Sequence, residues 1–174
     1  MDLISNKAVI EECWSDLLHD YHLKITDIRE HGAIIENSHT QIMMVTGKYE
    51  SGFQLYLRDK TKTTENKYSV LDLIACLVKD HKYPDPSEFP EDWQQQFVFS
   101  LNYAKATLIG YFDDFLSGDF SRLDSESLFD NYLLEKEKYE KIAMQLPYGD
   151  PIKTKYRALD PTWLDDIKVR YNVE

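Results

Sequence analysis

The sequence is poor in glycine, proline and cysteine, and each shortage narrows the class of protein. Six glycines and six prolines in 174 residues leave little room for long flexible linkers or for a glycine-rich phosphate-binding loop. The two cysteines, Cys13 and Cys76, lie far apart, which excludes a disulfide scaffold and a CxxC metal site. Each lies within an apolar helical pattern, which predicts two reduced thiols buried in a cytoplasmic protein.

Basic residues and long apolar runs are also scarce. The chain has 20 Lys and Arg against 31 Asp and Glu, a net charge of −11. This charge disfavours nucleic acids and anionic membranes as partners, and it favours a basic protein. No apolar stretch approaches the roughly 20 residues that span a bilayer. The start, MDLISNKAVIEECW, lacks the basic residues and apolar run of a secretion signal. We therefore expect a soluble, cytoplasmic protein.

Common catalytic motifs are missing too. The sequence contains no G-x-S-x-G, S-x-x-K, G-x-G-x-x-G or Walker A pattern. Neither cysteine lies beside a histidine or at a predicted helix start. Together these absences predict a protein that is not an enzyme and that uses no cofactor.

The residues that are abundant predict a folded core. Hydrophobic residues make up 43% of the chain and aromatic residues 13%, which is enough to offset the entropy of ordering the chain. The length fits one domain, residues 1–174. Between residues 24 and 61 the apolar period is two, most clearly in FQLYLR, with turns at residues 37–38 and 47–52. This pattern predicts an antiparallel meander of three or four strands.

Helical periodicity surrounds this meander. It predicts helices over residues 6–21, over residues 70–81 with Ser69 as a cap, from Pro90 or Glu91 to Leu116, and over residues 125–145. Pro84 and Pro86 end the second helix, whose apolar stripe reaches His81. Gly118 ends the third, whose apolar stripe runs from Phe97 to Phe115 and is widened by Val98, Ala106 and Ile109. A last helical turn after Pro161 is anchored by Trp163 and Leu164. Because strands and helices are segregated along the chain, the fold class is α+β, a small meander packed against about four helices.

Two groups of histidines have the spacing of possible sites. His19 and His22 lie three residues apart on the first helix, and Asp16 precedes them by one turn, so one face carries three potential zinc ligands. No third strong ligand follows in sequence, and solvated histidines at a helix end explain the same pattern. His31 and His39 bracket the first hairpin, where they either face one another or belong to polar turns.

The acidic residues are unevenly distributed. Residues 80–92 hold five acids and one base, and residues 113–140 hold nine acids and three bases. Both segments flank the third helix, and aromatic residues are interleaved with the acids, as in a protein-binding face. A solubilising acidic surface is the other interpretation. The candidate partner-binding residues are Asp85, Glu88, Glu91, Asp92, Trp93, Asp113, Asp114, Asp119, Phe120, Asp124, Glu126 and Asp130.

Three of these acids, Asp113, Asp114 and Asp119, cluster at the predicted end of the third helix. Acids at a helix C-terminus oppose the helix dipole and cost a few tenths of a kcal/mol each. This placement indicates either use in binding, an acid–base pair, or an ordinary solvated helix end.

The plan of the chain resembles the small immunity proteins of bacterial polymorphic-toxin systems. The resemblance rests on the acidic single domain, the leading helix, and the meander HGAIIENSHTQIMMV…GFQLYLRD running into YSVLDLIACLV. It implies a non-catalytic protein that binds a cognate toxin, often a basic nuclease, and blocks its active site. Two alternatives use the same residues: a nucleic-acid-mimicking inhibitor with phosphate-like spacing of acids, and a metal-assisted hydrolase using His19, His22 and carboxylates.

Overall fold

A computed structural model describes residues 6–46, 53–63, 66–78, 80–124, 128–157 and 162–171. The chain divides into two compact units. Unit 1 comprises residues 1–70 and 82–120, and unit 2 comprises residues 71–81 and 121–174. The assignment of residues 1–174 to a single domain stays a prediction.

Unit 1 contains a five-stranded antiparallel sheet in which each strand pairs with the next along the chain. The predicted α+β class and meander are confirmed. The fifth strand has only two residues and includes Ser69, which was expected to cap a helix. The turn predicted at residues 47–52 lies outside the described residues. The strands are β1 (Lys24–Arg29), β2 (Gly32–Glu36), β3 (Thr40–Thr46), β4 (Phe53–Asp59) and β5 (Tyr68–Ser69).

One face of the sheet is apolar because the strand register aligns its alternating residues. Ile42 of β3 pairs with Ile35 of β2 and with Leu57 of β4, and all three side chains are fully buried. Met44 likewise pairs with Ala33 on β2. A period of two therefore places every second residue of neighbouring strands on the same buried face.

The helices of the described residues differ from the predicted ones mainly at their ends. The first predicted helix is interrupted at Trp14. The fourth, predicted over residues 125–145, is described from Leu128 to Gln145, and the short helix over residues 121–124 was not predicted. In chain order they are α1 (Lys7–Cys13), α2 (Ser15–Asp20), α3 (Val70–Leu77), α4 (Trp93–Leu116), α5 (Ser121–Asp124), α6 (Leu128–Gln145), α7 (Pro151–Arg157) and α8 (Trp163–Tyr171).

The long helix α4 completes the core of unit 1. Its predicted apolar stripe is buried, and the ring of Phe97 contacts Phe53 of β4 edge to face at 5.9 Å. The indole of Trp14 is buried and donates a hydrogen bond to the carbonyl of Leu101 at 2.9 Å. Three residues expected to widen the stripe are exposed instead, because a helix packed on one side buries only a narrow face. These are Val98, Ala106 and Ile109.

The predicted end of α4 at Gly118 is confirmed. Gly118 adopts φ +93°, and its N–H donates to the carbonyl of Phe115. A Cβ at this position would lie 2.6 Å from the Cβ of His39, so both the backbone angle and the space require glycine. The turn between β2 and β3, which contains His39, is held to α4 by Asn37. The Nδ2 of Asn37 donates to the carbonyl of Leu116 at 3.1 Å.

Unit 2 has its own small core, formed where α6, α7 and α8 meet. Trp163 and Leu164 are buried there, which confirms them as anchors of the last helix. Helix α7 was not predicted, although Asp150 before Pro151 is a typical helix start. The backbone N–H of Ile152 donates to Asp150 Oδ1 at 2.9 Å, as an N-terminal cap does.

Candidate functional site

The predicted partner-binding residues fall into both units. Seven of the acids belong to unit 1, together with Trp93 and Phe120. Asp124, Glu126 and Asp130 belong to unit 2. Asp130 is exposed in the first turn of α6, whereas Glu126 and the side chain of Asp124 lie outside the described residues. Because the acids divide in this way, the group in unit 1 is considered by itself.

We call residues 85–92 the acidic segment. The side chains of its four acids are all exposed. The segment is nevertheless ordered by short-range contacts. Asp85 Oδ1 accepts the backbone N–H of Ser87 at 2.8 Å and its hydroxyl at 2.6 Å. These two hydrogen bonds, the hydroxyl first, lower the pKa of Asp85 below its usual range, so its charge persists at neutral pH.

Three contacts hold the acidic segment to α4. Asp92 caps the helix, since its Oδ1 accepts the N–H groups of Gln94 at 2.9 Å and Gln95 at 3.0 Å. Gln96 Nε2 donates to the carbonyl of Pro90 at 2.6 Å. The ring of Phe89 packs on Phe99 with centroids 4.9 Å apart. The carboxylates are therefore displayed on a structured segment with a defined position relative to the helix.

The acidic segment has no neutralising cation of its own. From Tyr83 to Ala104 the sequence contains four acids and neither Lys nor Arg. Across the part of the chain that the structure describes, Lys and Arg form ion pairs with acids elsewhere, and none of these pairs includes the acidic segment. The nearest lysine that follows in sequence, Lys105, is held by Asp16 at 3.0 Å. Lys82, three residues before Asp85, is the nearest base in sequence, and no ion pair among the described residues joins it or another cation to the segment.

Two exposed aromatic rings accompany these charges. Phe89 within the segment is 41% exposed, and Trp93, the first residue of α4, is 48% exposed. Large rings that remain this exposed beside charged groups resemble the anchors of protein interfaces. The predicted role of Trp93 in partner binding stays a prediction.

A groove lies next to the acidic segment, between α1 and the first half of α4. It has a volume of about 810 Å³. Asp92, which caps α4, and Phe99, on which Phe89 packs, line the groove. Val9 of α1 forms part of the opposite wall. Residue patterns did not reveal this groove, because it depends on how two helices diverge. Two adjacent glutamines, Gln94 and Gln95, belong to its lining.

The acids at the other end of α4 are arranged differently. The backbone of Phe112 is non-helical, with φ −130° and ψ 27°, so Asp113 and Asp114 begin a new helical turn after a break. Asp114 Oδ1 accepts the N–H of Phe115 at 3.0 Å. Both acids nevertheless lie in the last turn of α4, since their backbone carbonyls accept the N–H groups of Ser117 and Asp119 at the helix end.

Asp113 and Phe120 have contacts within unit 1. Asp113 accepts a short hydrogen bond from the hydroxyl of Tyr21, and this bond is the main reason that the pKa of Tyr21 rises to about 12. Asp119 is exposed. Phe120 is only 3% exposed and stacks on Phe115 with centroids 4.8 Å apart, so its ring belongs to the core and does not serve as a surface anchor.

The histidines do not assemble a metal centre within the described residues, where no group of three His, Cys, Asp or Glu side chains is placed to hold an ion. His19 pairs with Asp20 at 2.9 Å, whereas Asp16 binds Lys105. His31 and His39 do not face one another, because they lie in the turns at opposite ends of β2.

The two cysteines and His81 are only partly buried. Both thiols are free, and burial, as the largest cause, raises the pKa of each, which makes them poor nucleophiles at neutral pH. His81 lies beyond the end of α3 instead of on its apolar stripe. Burial lowers the pKa of its imidazole.

Comparisons with protein-family models, with curated proteins and with solved structures found no match for this chain. Among the described residues, every helix is too short or too polar to cross a bilayer. The functional argument therefore depends on the surface of unit 1.

Proposed function

We propose that this protein is a non-catalytic binding protein that holds a basic protein partner against the acidic segment and Trp93. The observation that carries the proposal is the set of four exposed carboxylates without a cationic partner, mounted beside two exposed rings. Negative potential of this kind speeds encounter with a cationic surface, and rings supply contact area after encounter.

The order of the segment supports binding over simple solubilisation. A solubilising surface needs only charge, whereas here Asp92, Pro90 and Phe89 each fasten the segment to α4. A segment that is already ordered loses less entropy when a partner binds, so more of the interaction energy remains as affinity. The segment centred on residues 85–93 is thus the better candidate than residues 113–120, where Asp113 bonds Tyr21 and Phe120 is buried.

The proposal extends to the class of partner. In line with the resemblance to immunity proteins, the partner is a basic toxin, neutralised by direct contact in the cytoplasm. The strong net charge of −11 favours such a cationic protein over nucleic acid. Catalysis has no part in this function, because contact alone blocks the partner.

A kinetic experiment tests the proposal. Each basic protein encoded beside the gene for this chain is purified in an inactive form, and its association is followed by stopped-flow tryptophan fluorescence. We expect one of them to bind with an association rate that falls ~10-fold or more between 50 and 300 mM NaCl. The variant Glu88→Gln/Glu91→Gln lowers the rate at low salt by a similar factor.

A matched control removes the same amount of charge elsewhere. Asp20→Asn/Glu30→Gln neutralises two exposed acids of unit 1 that belong neither to the acidic segment nor to the lining of its groove, and we expect it to change the rate less than ~2-fold. The proposal is wrong if no neighbouring basic protein binds, if binding ignores salt, or if both double variants act equally.

A further inference from the structure

We infer that the groove between α1 and α4 receives an extended segment of the partner that carries an arginine side chain. This inference rests on the proposed function and names the chemistry that the same surface recognises. The volume of about 810 Å³ falls within the range of about 300–1,000 Å³ that is usual for ligand-binding clefts.

The polar side chains of the groove suit a peptide backbone. Gln94, Gln95 and Asn102 line it, and none of these amide groups makes a side-chain hydrogen bond to another described residue. An amide carries both donors and an acceptor, as does each peptide unit of an extended chain. Three unengaged amides along one groove therefore match a strand-like segment better than a purely apolar or purely charged ligand.

Apolar residues supply the rest of the lining. Phe97 is buried at the base, whereas Phe99 and Val9 are partly exposed. Their surfaces provide contact for the aliphatic stem of a long side chain, and a planar guanidinium stacks favourably on aromatic rings. Arginine combines such a stem with a planar cation, which lysine does not.

The sign of the charge follows from the groove's surroundings. Asp92 lines the groove, and Glu91 is the residue directly before Asp92. Glu88 directly precedes Phe89, whose ring packs on Phe99 in the groove lining. The lysine of α1, Lys7, pairs with Glu11 of the same helix at 3.6 Å. Carboxylates without cations thus border one end of the groove, and they exclude an anionic occupant while favouring a guanidinium.

Solution NMR with short peptides tests the groove directly. The probe is the hexapeptide acetyl-Ala-Ser-Arg-Leu-Ser-Ala-amide, titrated into the ¹⁵N-labelled full chain, and its control has citrulline in place of arginine. Citrulline keeps the shape and loses the charge. We expect shifts at the amides of Val9, Gln95, Phe99 and Asn102, with affinity ~10-fold or more lower for the citrulline peptide.

Two variants act on the groove without touching the carboxylates. Val9→Trp fills it, and Asn102→Arg places a competing cation in it at an exposed helix position that does not threaten folding. We expect both to abolish the peptide-induced shifts. Val45→Trp adds the same bulk to an exposed residue of β3 and leaves the shifts unchanged.

The outcomes separate this inference from the proposed function. Equal shifts with the citrulline peptide, or shifts that avoid the groove, overturn the arginine assignment. Concentration-dependent shifts without peptide indicate instead that a second copy of the chain fills the groove. If the basic partner binds Asn102→Arg as tightly as the unmodified chain but binds Glu88→Gln/Glu91→Gln weakly, the groove assignment fails and the proposed function stands. If neither variant changes partner binding, both fail.

Discussion

The two units of this chain use their acidic residues in different ways. Unit 2 has 13 acids and 10 bases, and besides the pair Glu137–Lys141 within α6, four of its acids form ion pairs with a base from another helix. Unit 1 has 18 acids and 10 bases, and its residues 82–120 contribute seven acids but only two bases. The pairs of unit 2 are Asp72–Lys136, Asp166–Lys155, Glu135–Lys168 and Asp150–Arg170.

This contrast shows why local charge is more informative than total charge. In the four pairs of unit 2 the acid is part of the fold, because a cation from another helix holds it. In the acidic segment of unit 1 the acids bond only to nearby backbone or hydroxyl groups, or to no described residue, and their charge remains available to a partner. We therefore expect mutations of the paired acids of unit 2 to change stability and mutations of the acidic segment of unit 1 to change binding.

The largest expected effect on stability comes from a substitution in the core of unit 1, because we consider this core the source of the stability of unit 1. Trp14→Ala removes a fully buried indole and its hydrogen bond to Leu101, so we expect the free energy of unfolding to fall by ~3–5 kcal/mol in urea denaturation. Trp93→Ala removes an exposed indole and should change the free energy of unfolding by ~0.5 kcal/mol or less. Equal losses would mean that the surface of unit 1 is structural.

Two glycines with nearly the same backbone angle allow the units to be compared directly. Gly118→Ala in unit 1 meets both a φ of +93° and the Cβ of His39, and we expect a loss of about 2–4 kcal/mol. Gly149→Ala in unit 2 has a φ of +92° and open space, so only the backbone term applies, about 1–2 kcal/mol. Thermal unfolding of both variants measures the difference, and a larger loss at Gly149 would contradict it.

The ion pairs of unit 2 provide a smaller effect. Lys136 donates to Asp72 at 2.8 Å, and both side chains are largely shielded from water. We expect Lys136→Met to lower the free energy of unfolding by ~1 kcal/mol because Asp72 loses its cation. Lys141→Met breaks an exposed pair with Glu137 on the same helix and should cost ~0.5 kcal/mol or less. Urea denaturation of both variants would contradict this expectation if Lys141→Met proved the more costly.

The pH dependence of unit 2 follows from Asp150. The hydrogen bond from Arg170, the largest cause, lowers the pKa of Asp150 in the folded state. Its contribution to stability is therefore present above the unfolded pKa of about 3.9 and is lost as the pH falls through the folded pKa. Urea denaturation between pH 2 and pH 6 should show a shallower loss for Asp150→Asn and for Arg170→Met. An unchanged pH profile in both variants would mean that the pair is not linked to folding.

The smallest expected effect on stability concerns the acidic segment, whose unpaired carboxylates distinguish unit 1 from the ion pairs of unit 2. Glu88→Gln/Glu91→Gln removes two charges that no described cation holds, so the free energy of unfolding should stay within ~0.5 kcal/mol of the unmodified chain. Chemical denaturation in urea is sufficient to measure it. A loss comparable to that of Lys136→Met would show that these acids are structural and would remove the difference between the units.

Much of the fold was predictable because periodicity reports burial. The stripe from Phe97 to Phe115 was expected on one face of a helix, and it is buried in α4. The alternation in FQLYLR predicted β4. The interruption at Trp14 and the break at Phe112 were not predictable, since both interrupt helices whose apolar pattern continues without a break.

The candidate site was predictable only in part. The acids of residues 85–92 and Trp93 are exposed, as a binding surface requires, but Phe120 has the same sequence context and lies in the core. An aromatic ring beside acids is compatible with either location. The choice depends on whether neighbouring elements, here Phe115 and Tyr68, provide a cavity of the right shape.

The sequence by itself determined the main element types, the α+β class, the end of α4 and the uneven placement of acids, because these depend on periodicity, caps and composition along the chain. Only the tertiary structure decided which acids acquire cations, which rings are buried, and that a groove opens between α1 and α4. Those features depend on contacts between residues that are distant in sequence, such as Asp72 with Lys136 and Trp14 with Leu101. Such contacts leave no local signal, since each partner alone fits an ordinary helix.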